Sequence, residues 1–275
     1  AGFYFLHPAI VYNTAVFGQI DSFISVAAFV AVLMLIEKKY LFGLIIYIVG
    51  FLSKLQALAV LPLVATLTIL SIHVKKLFKY GFILAILALL PFVPMLLTQG
   101  ALWNIKYFYQ LQNWYPYTSI YAYNLWAPTG FIVSDKLLFF GIISYKLVGL
   151  FIYWLVAGFV LVPLLRTKNR KPFTVVFAGF LLFFDFAFFE TRIHSRYLIY
   201  SFPFLAVLAP RYPVLAAAVS FLMFANIILP INDPRLATLV EFFREPYIIW
   251  GLVLFGFLLF VAFYKKYYEL MSKTH

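Results

Sequence analysis

Apolar runs separated by short polar segments recur along the whole chain. Many of these runs approach the roughly 20 residues that a helix needs to cross the hydrocarbon core of a bilayer. The strands of a membrane barrel would instead alternate apolar and polar positions. The pattern therefore predicts an all-α, polytopic transmembrane helix bundle with about nine spans. These spans are predicted at roughly 22–36, 41–53, 56–72, 80–97, 147–165, 173–190, 197–210, 213–230 and 248–264.

The composition agrees with a membrane protein and excludes several other classes. Hydrophobic residues make up 65% of the 275 residues and charged residues only 11%, which is more apolar surface than a soluble domain can bury. The net charge is +12, but the basic residues form short clusters between apolar runs, so we expect no nucleic-acid partner. The chain has no cysteine, which excludes disulfides and thiolate metal sites.

The basic clusters predict how the spans are oriented, because loops rich in Lys and Arg face the cytoplasm. The clusters are Lys38–Lys39, Lys75–Lys79, Arg166–Lys171, Arg211 and Lys265–Lys273. The opposite, outer side then collects the segments 1–21, 53–56, 98–146, 190–196 and 231–247, with 98–146 as the longest outer loop. Nearly every unusual polar residue lies in these outer segments. The sequence therefore predicts a single membrane domain over 1–275 with an outward-facing site.

Polar side chains crowd into the segment FETRIHSRYLIY, which contains Glu190, Arg192, His194, Arg196 and Tyr197. Charge at bilayer depth usually marks function. The i, i+4 pairs Glu190–His194 and Arg192–Arg196 would face nearly opposite directions on one helix, so we predict that the helix is broken here. Guanidinium groups and a helix N-terminus suit a phosphate or diphosphate. The alternative is a structural salt bridge between Glu190 and one arginine.

Two further outer segments carry candidate site residues. Gln19 and Asp21 lie where the first span begins. Asp21 is either a helix cap or a site carboxylate that shares a helix face with Ser25. Lys54 and Gln56 lie in a short turn between two spans. The lysine would either neutralise a phosphate or extend to the lipid headgroups.

Aromatic residues dominate the outer stretch 103–126, in which Lys106 is the only charged residue. This composition is typical of a segment that lies in the headgroup layer. Alternatively, some of the rings form a platform for a sugar or line a groove for a lipid tail. In that case Asn124 and Trp126 are the residues nearest the site.

Other chemistry has little support in the sequence. The histidines His7, His73, His194 and His275 are scattered and form no metal-ligand pattern, so a divalent metal is possible but unsupported, and no cofactor is expected with certainty. Neither a P-loop nor a dinucleotide fingerprint is present. His7 has no structural explanation and stays a candidate substrate contact. Asp185, inside a span, is expected to pair within the bundle or to line a hydrated path.

Four segments, in chain order, resemble the integral-membrane GT-C glycosyltransferases, in particular prokaryotic multi-spanning mannosyl- or glucosyltransferase-like proteins. They are VYNTAVFGQIDSF, SKLQALAVLPL, SIYAYNLWAPTG and TRIHSRYLIYSFPFL, beside the family patterns SxVWGQxDS, KPQ, AxNLW and HERYL. The resemblance covers roughly residues 8–210. Leu55 replaces the KPQ proline and Ser195 replaces the HERYL glutamate.

The resemblance implies an enzyme that moves a sugar from a polyprenyl-phosphate donor to a hydroxyl on a lipid-linked glycan, glycolipid or protein. It implies a site on the extracytoplasmic side of a prokaryotic plasma membrane, or of the ER membrane in a eukaryote, with membrane lipids as partners. A carboxylate, here Asp21, would take the acceptor proton while cations hold the leaving phosphate. The substrate-binding candidates are His7, Gln19, Lys54, Gln56, Asn124, Trp126, Glu190, Arg192, His194, Arg196 and Tyr197.

In this family the best candidate for the base, an Asp or an Asp/Glu pair, lies in the first outer loop after the first span, and we expect this chain to begin downstream of that region. We therefore expect the missing part to lie upstream or on a partner chain. Two alternatives stay open. One is a transporter or flippase of a lipid-linked or anionic solute, which should place charges near the midplane of a repeated fold; the other is a non-catalytic scaffold subunit.

Overall fold

The computed structural model describes residues 2–111, 113–167 and 170–272. Lys168 and Lys273, which were used to predict the orientation, and His275 lie outside these ranges. The α-helices are α1 (Gly2–Phe5), α2 (Pro8–Val11), α3 (Asp21–Ile36), α4 (Tyr40–Ser53), α5 (Leu61–Ser71), α6 (Val74–Leu89), α7 (Val93–Leu111), α8 (Tyr145–Arg166), α9 (Pro172–Phe189), α10 (Phe202–Leu208), α11 (Pro213–Ile228), α12 (Ala237–Arg244) and α13 (Pro246–Ser272).

Shorter elements connect these helices. A π-helix covers Tyr12–Val16, and 3₁₀ turns precede α5 and α10 at Leu55–Val60 and Tyr197–Ser201. Four two-residue strands, β1 (Ser119–Ile120), β2 (Leu138–Phe139), β3 (Ile143–Ser144) and β4 (Ile193–His194), form two small ladders. β1 pairs in parallel with β4, and β2 pairs antiparallel with β3.

The helices have the lengths and composition of a membrane protein. Four are long and apolar enough to cross a bilayer, namely Val74–Ala101, Tyr145–Arg166, Pro172–Phe189 and Pro246–Ser272. Shorter apolar helices cover Asp21–Ile36, Tyr40–Ser53, Leu55–Ser71, Tyr197–Leu208 and Pro213–Ile228. The prediction of a nearly all-α protein with membrane-type helices is confirmed. Each predicted span falls on one of these helices, and the number of nine crossings stays a prediction.

Helix α9 lies at the centre of the bundle and packs against α3, α8, α10 and α13. Its phenylalanines fill the core, and Phe180 and Phe183 are fully buried. Gly179 allows close packing, because a Cβ atom at this position would lie 2.3 Å from the ring of Phe204. Asp185, also on α9, accepts a hydrogen bond of 2.6 Å from the hydroxyl of Tyr264 on α13. The predicted pairing of Asp185 inside the bundle is therefore confirmed.

The predicted outer segment 98–146 begins within α7, which extends to Leu111, and its position outside the membrane stays a prediction. Gly100, with a φ of 77°, interrupts the regular helical backbone, and a positive φ is easily adopted by glycine. The residues after Gly100 are too polar and aromatic to be recognised as a span, although they are compatible with a helix. The irregular region therefore begins after the helix and contains β1, β2 and β3.

The segment between α9 and α10 is broken as predicted. Helix α9 ends at Phe189, β4 follows, and a new helical turn begins at Tyr197. Arg192 has a φ of 64°, which a continuous right-handed helix does not permit. The break places successive polar residues of this segment on different sides of the chain.

Candidate functional site

Asp21 is the centre of a cluster of charged and hydroxyl groups. Its side chain is fully buried. One carboxylate oxygen accepts hydrogen bonds from Lys54 Nζ and the Tyr200 hydroxyl, and the other accepts a bond of 3.1 Å from Arg196 Nε. The helix-cap interpretation of Asp21 is wrong, because the cap position is Ile20 and no side chain caps α3. Two cations and a hydroxyl bind the carboxylate instead, and such charge-assisted hydrogen bonds are the stronger ones.

Asp21 and Ser25 lie one turn apart on α3, as predicted, but no hydrogen bond described for the Ser25 hydroxyl joins it to the Asp21 carboxylate. The Ser25 hydroxyl donates to the main-chain oxygen of Ser22 at 2.9 Å and lies 2.9 Å from the hydroxyl of Tyr4. These local partners engage Ser25 near the start of α3, while the Asp21 carboxylate is bound by residues from distant parts of the chain.

The cluster carries an excess of positive charge. One carboxylate faces two cations, and the side chains of Lys54 and Arg196 are 21% and 20% exposed. Burial lowers the pKa of the Lys54 ammonium group, and the nearby Asp21 carboxylate opposes this shift. A partly exposed pair of cations with only one counterion is suited to bind an anion.

Tyr197 links this cluster to Gln56. The centroid of its ring lies 5.5 Å from Lys54 Nζ and 5.6 Å from Arg196 Cζ, distances at which a cation is attracted to an aromatic ring. The Tyr197 hydroxyl accepts a hydrogen bond of 2.8 Å from Gln56 Nε2. We refer to Asp21, Lys54, Arg196, Tyr197 and Tyr200 as the Asp21 cluster.

His194 lies beside the Asp21 cluster, with its ring 5.1 Å from that of Tyr197. Burial, together with the charges of Arg196 and Lys54, lowers the pKa of His194 to about 4. The imidazole is therefore neutral near pH 7. The neutral imidazole can form a hydrogen bond to a phosphate. It does not add a positive charge to those of the two arginines in the same segment.

In its described contacts Arg192 pairs with a residue outside the Asp21 cluster, so we do not assign it to the phosphate that Arg196 is proposed to hold. Its guanidinium binds both oxygens of Asp135, with Nε–Oδ2 at 2.6 Å and Nη2–Oδ1 at 3.3 Å. Asp135 is fully buried and also accepts from the Thr191 hydroxyl at 3.3 Å. Within the described ranges no salt bridge joins Glu190 to an arginine, so the predicted alternative pair is not formed there. The break in the helix turns the two arginines towards different partners.

Asn124 and Trp126 hold the main chain at the end of α9. Asn124 Nδ2 donates to the oxygen of Glu190 at 3.0 Å, and Trp126 Nε1 donates to that of Phe189 at 2.7 Å. Both side chains are buried, and their polar groups are engaged by the protein. In the structure these two side chains therefore stabilise the main chain where α9 ends. Their predicted contact with a substrate stays a prediction.

His7 and Gln19 are bonded locally. His7 Nδ1 accepts from the Ala9 main-chain N–H at 3.2 Å and caps α2, while its ring packs edge-on against Phe202. Gln19 Nε2 donates to the main-chain oxygen of Phe17 at 3.3 Å. No hydrogen bond described for these two side chains joins them to the Asp21 cluster.

Glu190 lines a separate cavity of about 320 Å³, which we call the Glu190 slot. The slot is lined by Leu55, Gln56, Leu58, Ala59, Leu61, Leu150, Tyr153, Trp154, Phe186 and Glu190. Burial raises the pKa of Glu190 to about 7, although a hydrogen bond from the Thr191 N–H and the charges of Lys146 and Arg192 act in the opposite direction. This carboxyl group therefore changes charge near neutral pH.

Two residues of these interactions were missed from the sequence. Tyr200 follows Arg196 at i+4, a spacing that indicates a common helix face, but it lies within an apolar run that hides this signal. Asp135 is a single carboxylate in the outer loop, and nothing in its local sequence indicates Arg192 as its partner. Within the described ranges, no group of three or more His, Asp or Glu side chains could hold a metal ion.

Comparisons with protein-family models, curated proteins and solved structures give no match to this chain. Its function is therefore inferred from the chemistry of the Asp21 cluster and its surroundings.

Proposed function

We propose that this chain is the membrane core of a GT-C-type glycosyltransferase that uses a sugar linked to polyprenyl phosphate. One observation carries the proposal. Asp21, Lys54 and Arg196 come from three of the four segments that resemble this family, and they meet in one cluster. Trp126, from the remaining segment, binds the main chain at Phe189, where the break begins.

Lys54 and Arg196 are the groups we assign to the donor phosphate. Together with Asp21 they have a formal charge of +1, which a phosphodiester of charge −1 would neutralise. When the sugar leaves, the lipid phosphate gains a further negative charge. Cations at this position stabilise the leaving group more strongly than the donor, which is the condition for lowering the barrier.

Asp21 is better suited to position these cations than to take a proton. Its carboxylate is fully buried and already accepts bonds from Lys54, Arg196 and Tyr200. An acceptor hydroxyl would have to displace one of these donors to reach it. We therefore assign Asp21 a positioning role in place of the catalytic role expected from the family resemblance.

The side of the membrane in this proposal follows the orientation predicted from the basic clusters, and the kind of membrane and the acceptor follow the family resemblance. Sugar transfer takes place on the extracytoplasmic side of a prokaryotic plasma membrane. The acceptor is a hydroxyl on a lipid-linked glycan, a glycolipid or a protein. A transporter of the same lipid phosphate would bind it without transferring sugar, so the two functions are separated by measuring both binding and transfer.

The test is binding of undecaprenyl phosphate to the purified protein in nanodiscs. Arg196→Ala should weaken binding at least tenfold, or about 1.4 kcal/mol, since one of the two cations is removed. Arg235→Ala is a matched control, because Arg235 is 88% exposed and pairs with Asp233 outside the cluster. Unchanged affinity in Arg196→Ala, with a folded protein, would overturn the assignment of the phosphate. Transfer of radiolabelled sugar from a polyprenyl-phosphate donor should fall in parallel.

A further inference from the structure

The Glu190 slot is open towards the side of the molecule where apolar side chains are exposed. Leu58 and Trp154, which line it, are 45% and 53% exposed, as expected for side chains in contact with lipid. Its polar groups include the Gln56 amide and the Glu190 carboxyl. The slot thus joins an apolar surface to two groups that can bind a hydroxyl.

Gln56 leaves one strong acceptor without a partner. Its Nε2 donates to Tyr197, but its Oε1 is buried and has no hydrogen bond to any described residue. A buried acceptor without a partner has a cost in folding free energy. A ligand hydroxyl that donates to Oε1 would remove this cost. Carbohydrate and lipid-linked alcohols have such a group, whereas a hydrocarbon chain alone does not.

Glu190 is the group in the slot that can receive the proton of such a hydroxyl. Its carboxylate accepts from the Thr191 N–H at 3.2 Å, and it pairs with no lysine or arginine within ion-pair distance in the described part of the chain. The charged groups that act on it are Lys146, Arg192 and Asp135, and Tyr153 lines the same slot. A carboxylate whose second oxygen has no described partner retains capacity to accept a further hydrogen bond.

The slot and the Asp21 cluster are joined through Tyr197. Gln56 lines the slot and binds the Tyr197 hydroxyl, while the ring of Tyr197 lies next to Lys54 and Arg196. Phe186, another lining residue, stacks on the same ring with centroids 6.4 Å apart. An acceptor in the slot and a phosphate at the cluster would therefore both lie close to Tyr197.

We propose that Glu190 is the general base of the transfer reaction and that the slot admits a lipid-linked acceptor from the membrane. This inference rests on the proposed function and narrows its acceptor to a hydroxyl carried by a lipid. Glu190 removes the hydroxyl proton, and the oxygen forms a bond to the anomeric carbon of the donor sugar. The bond from that carbon to the phosphate oxygen breaks, and its electron pair leaves with the phosphate held by Lys54 and Arg196.

The first test needs no substrate. Dicyclohexylcarbodiimide is an apolar reagent that adds to protonated carboxyl groups, so it should label Glu190 in nanodiscs at pH 6. Labelling should fall with a midpoint near pH 7, following the raised pKa of Glu190. The adduct should be absent from Glu190→Gln. It should still form in the control Glu241→Gln, which changes an exposed carboxyl group on α12. The absence of an adduct at Glu190, or an adduct independent of pH, would overturn the proposal.

The second test compares binding with transfer. Glu190→Gln should bind undecaprenyl phosphate as the wild type does but transfer sugar at least about a hundredfold more slowly, since a general base contributes about 10²–10⁴. The wild-type rate should rise through about pH 7, and the residual rate of the variant should not. Sugar transfer by Glu190→Gln at the wild-type rate would overturn the assignment of Glu190 as the base but would leave the proposed function standing. A wild type that binds no undecaprenyl phosphate would overturn the proposed function itself.

Discussion

Arg196 Nε donates a hydrogen bond of 3.1 Å to Asp21 Oδ2 across 175 positions of the sequence. This contact joins the start of α3 to the break that follows α9. With Lys54 on the other oxygen of the carboxylate, it gathers an excess of positive charge in one place. The proposed binding of a lipid phosphate depends on this arrangement.

The Asp21 carboxylate should stabilise the fold as well as position the cations. Asp21→Asn should lower the free energy of unfolding by about 3 kcal/mol, because it leaves two partly buried cations without a counterion. Thermal unfolding of the purified protein in detergent measures the change. Asp233→Asn is the control, since its pair with Arg235 is exposed at the surface and should contribute little. Equal melting temperatures for wild type and Asp21→Asn would contradict the arrangement.

The Arg192–Asp135 pair should be structural and separate from the phosphate site. A double-mutant cycle with Arg192→Ala and Asp135→Asn should give a coupling energy of about 1–3 kcal/mol for this partly buried, bidentate pair. The singly substituted Arg192→Ala should retain the wild-type affinity for undecaprenyl phosphate. A loss of affinity as large as that of Arg196→Ala would show that both arginines bind the ligand.

His194 should make the stability depend on pH. Its pKa in the folded state is lowered to about 4, mainly by burial, so the unfolded chain binds more protons between about pH 6.5 and pH 4. The contribution of His194 is present above pH 6.5 and is lost as the pH falls towards 4. Glu190, with its raised pKa, changes the stability in the opposite direction in part of this pH range. The contribution of His194 is therefore obtained from the difference in stability between the wild type and a His194 variant.

Thermal unfolding of wild type and His194→Gln across this pH range provides that difference. The wild type should lose stability relative to the variant as the pH falls, since glutamine does not titrate. Parallel curves for wild type and His194→Gln would mean that the histidine is not buried in its neutral form.

The orientation predicted from the basic clusters can be tested with single cysteines, because the chain contains none. Tyr115 is exposed and its ring lies 5.0 Å from that of His194, while Lys76 is exposed in a basic cluster. A membrane-impermeant maleimide added to intact cells should label Tyr115→Cys but not Lys76→Cys. Labelling of both from outside would contradict an outward-facing site opposite the basic loops.

The positions of the helices could be predicted from the sequence because hydrophobic runs are a local signal. The break between α9 and α10 could also be predicted, since the two-residue offset of Arg192 from Glu190 is incompatible with a shared face. The end of α7 at Leu111 could not be predicted from the sequence, because the residues after Gly100 lack the hydrophobicity that identifies a span.

The partners of the charged residues could not be predicted from local patterns. Arg192 and Arg196 have the same chemistry and lie four residues apart, yet one binds Asp135 and the other Asp21. The partner of each arginine depends on the direction in which its side chain leaves the broken segment and on which distant carboxylate lies in that direction. The sequence therefore indicated the segments that form the candidate site. The structure was needed to distinguish Arg192, which pairs with Asp135, from Arg196, which lies beside Lys54.

The most direct measurement is a structure determined with undecaprenyl phosphate bound. The account predicts a phosphate within hydrogen-bond distance of Lys54 Nζ and the Arg196 guanidinium, with Asp21 still bonded to both. A phosphate bound at Arg192 instead, or at the basic loops on the opposite side, would contradict it.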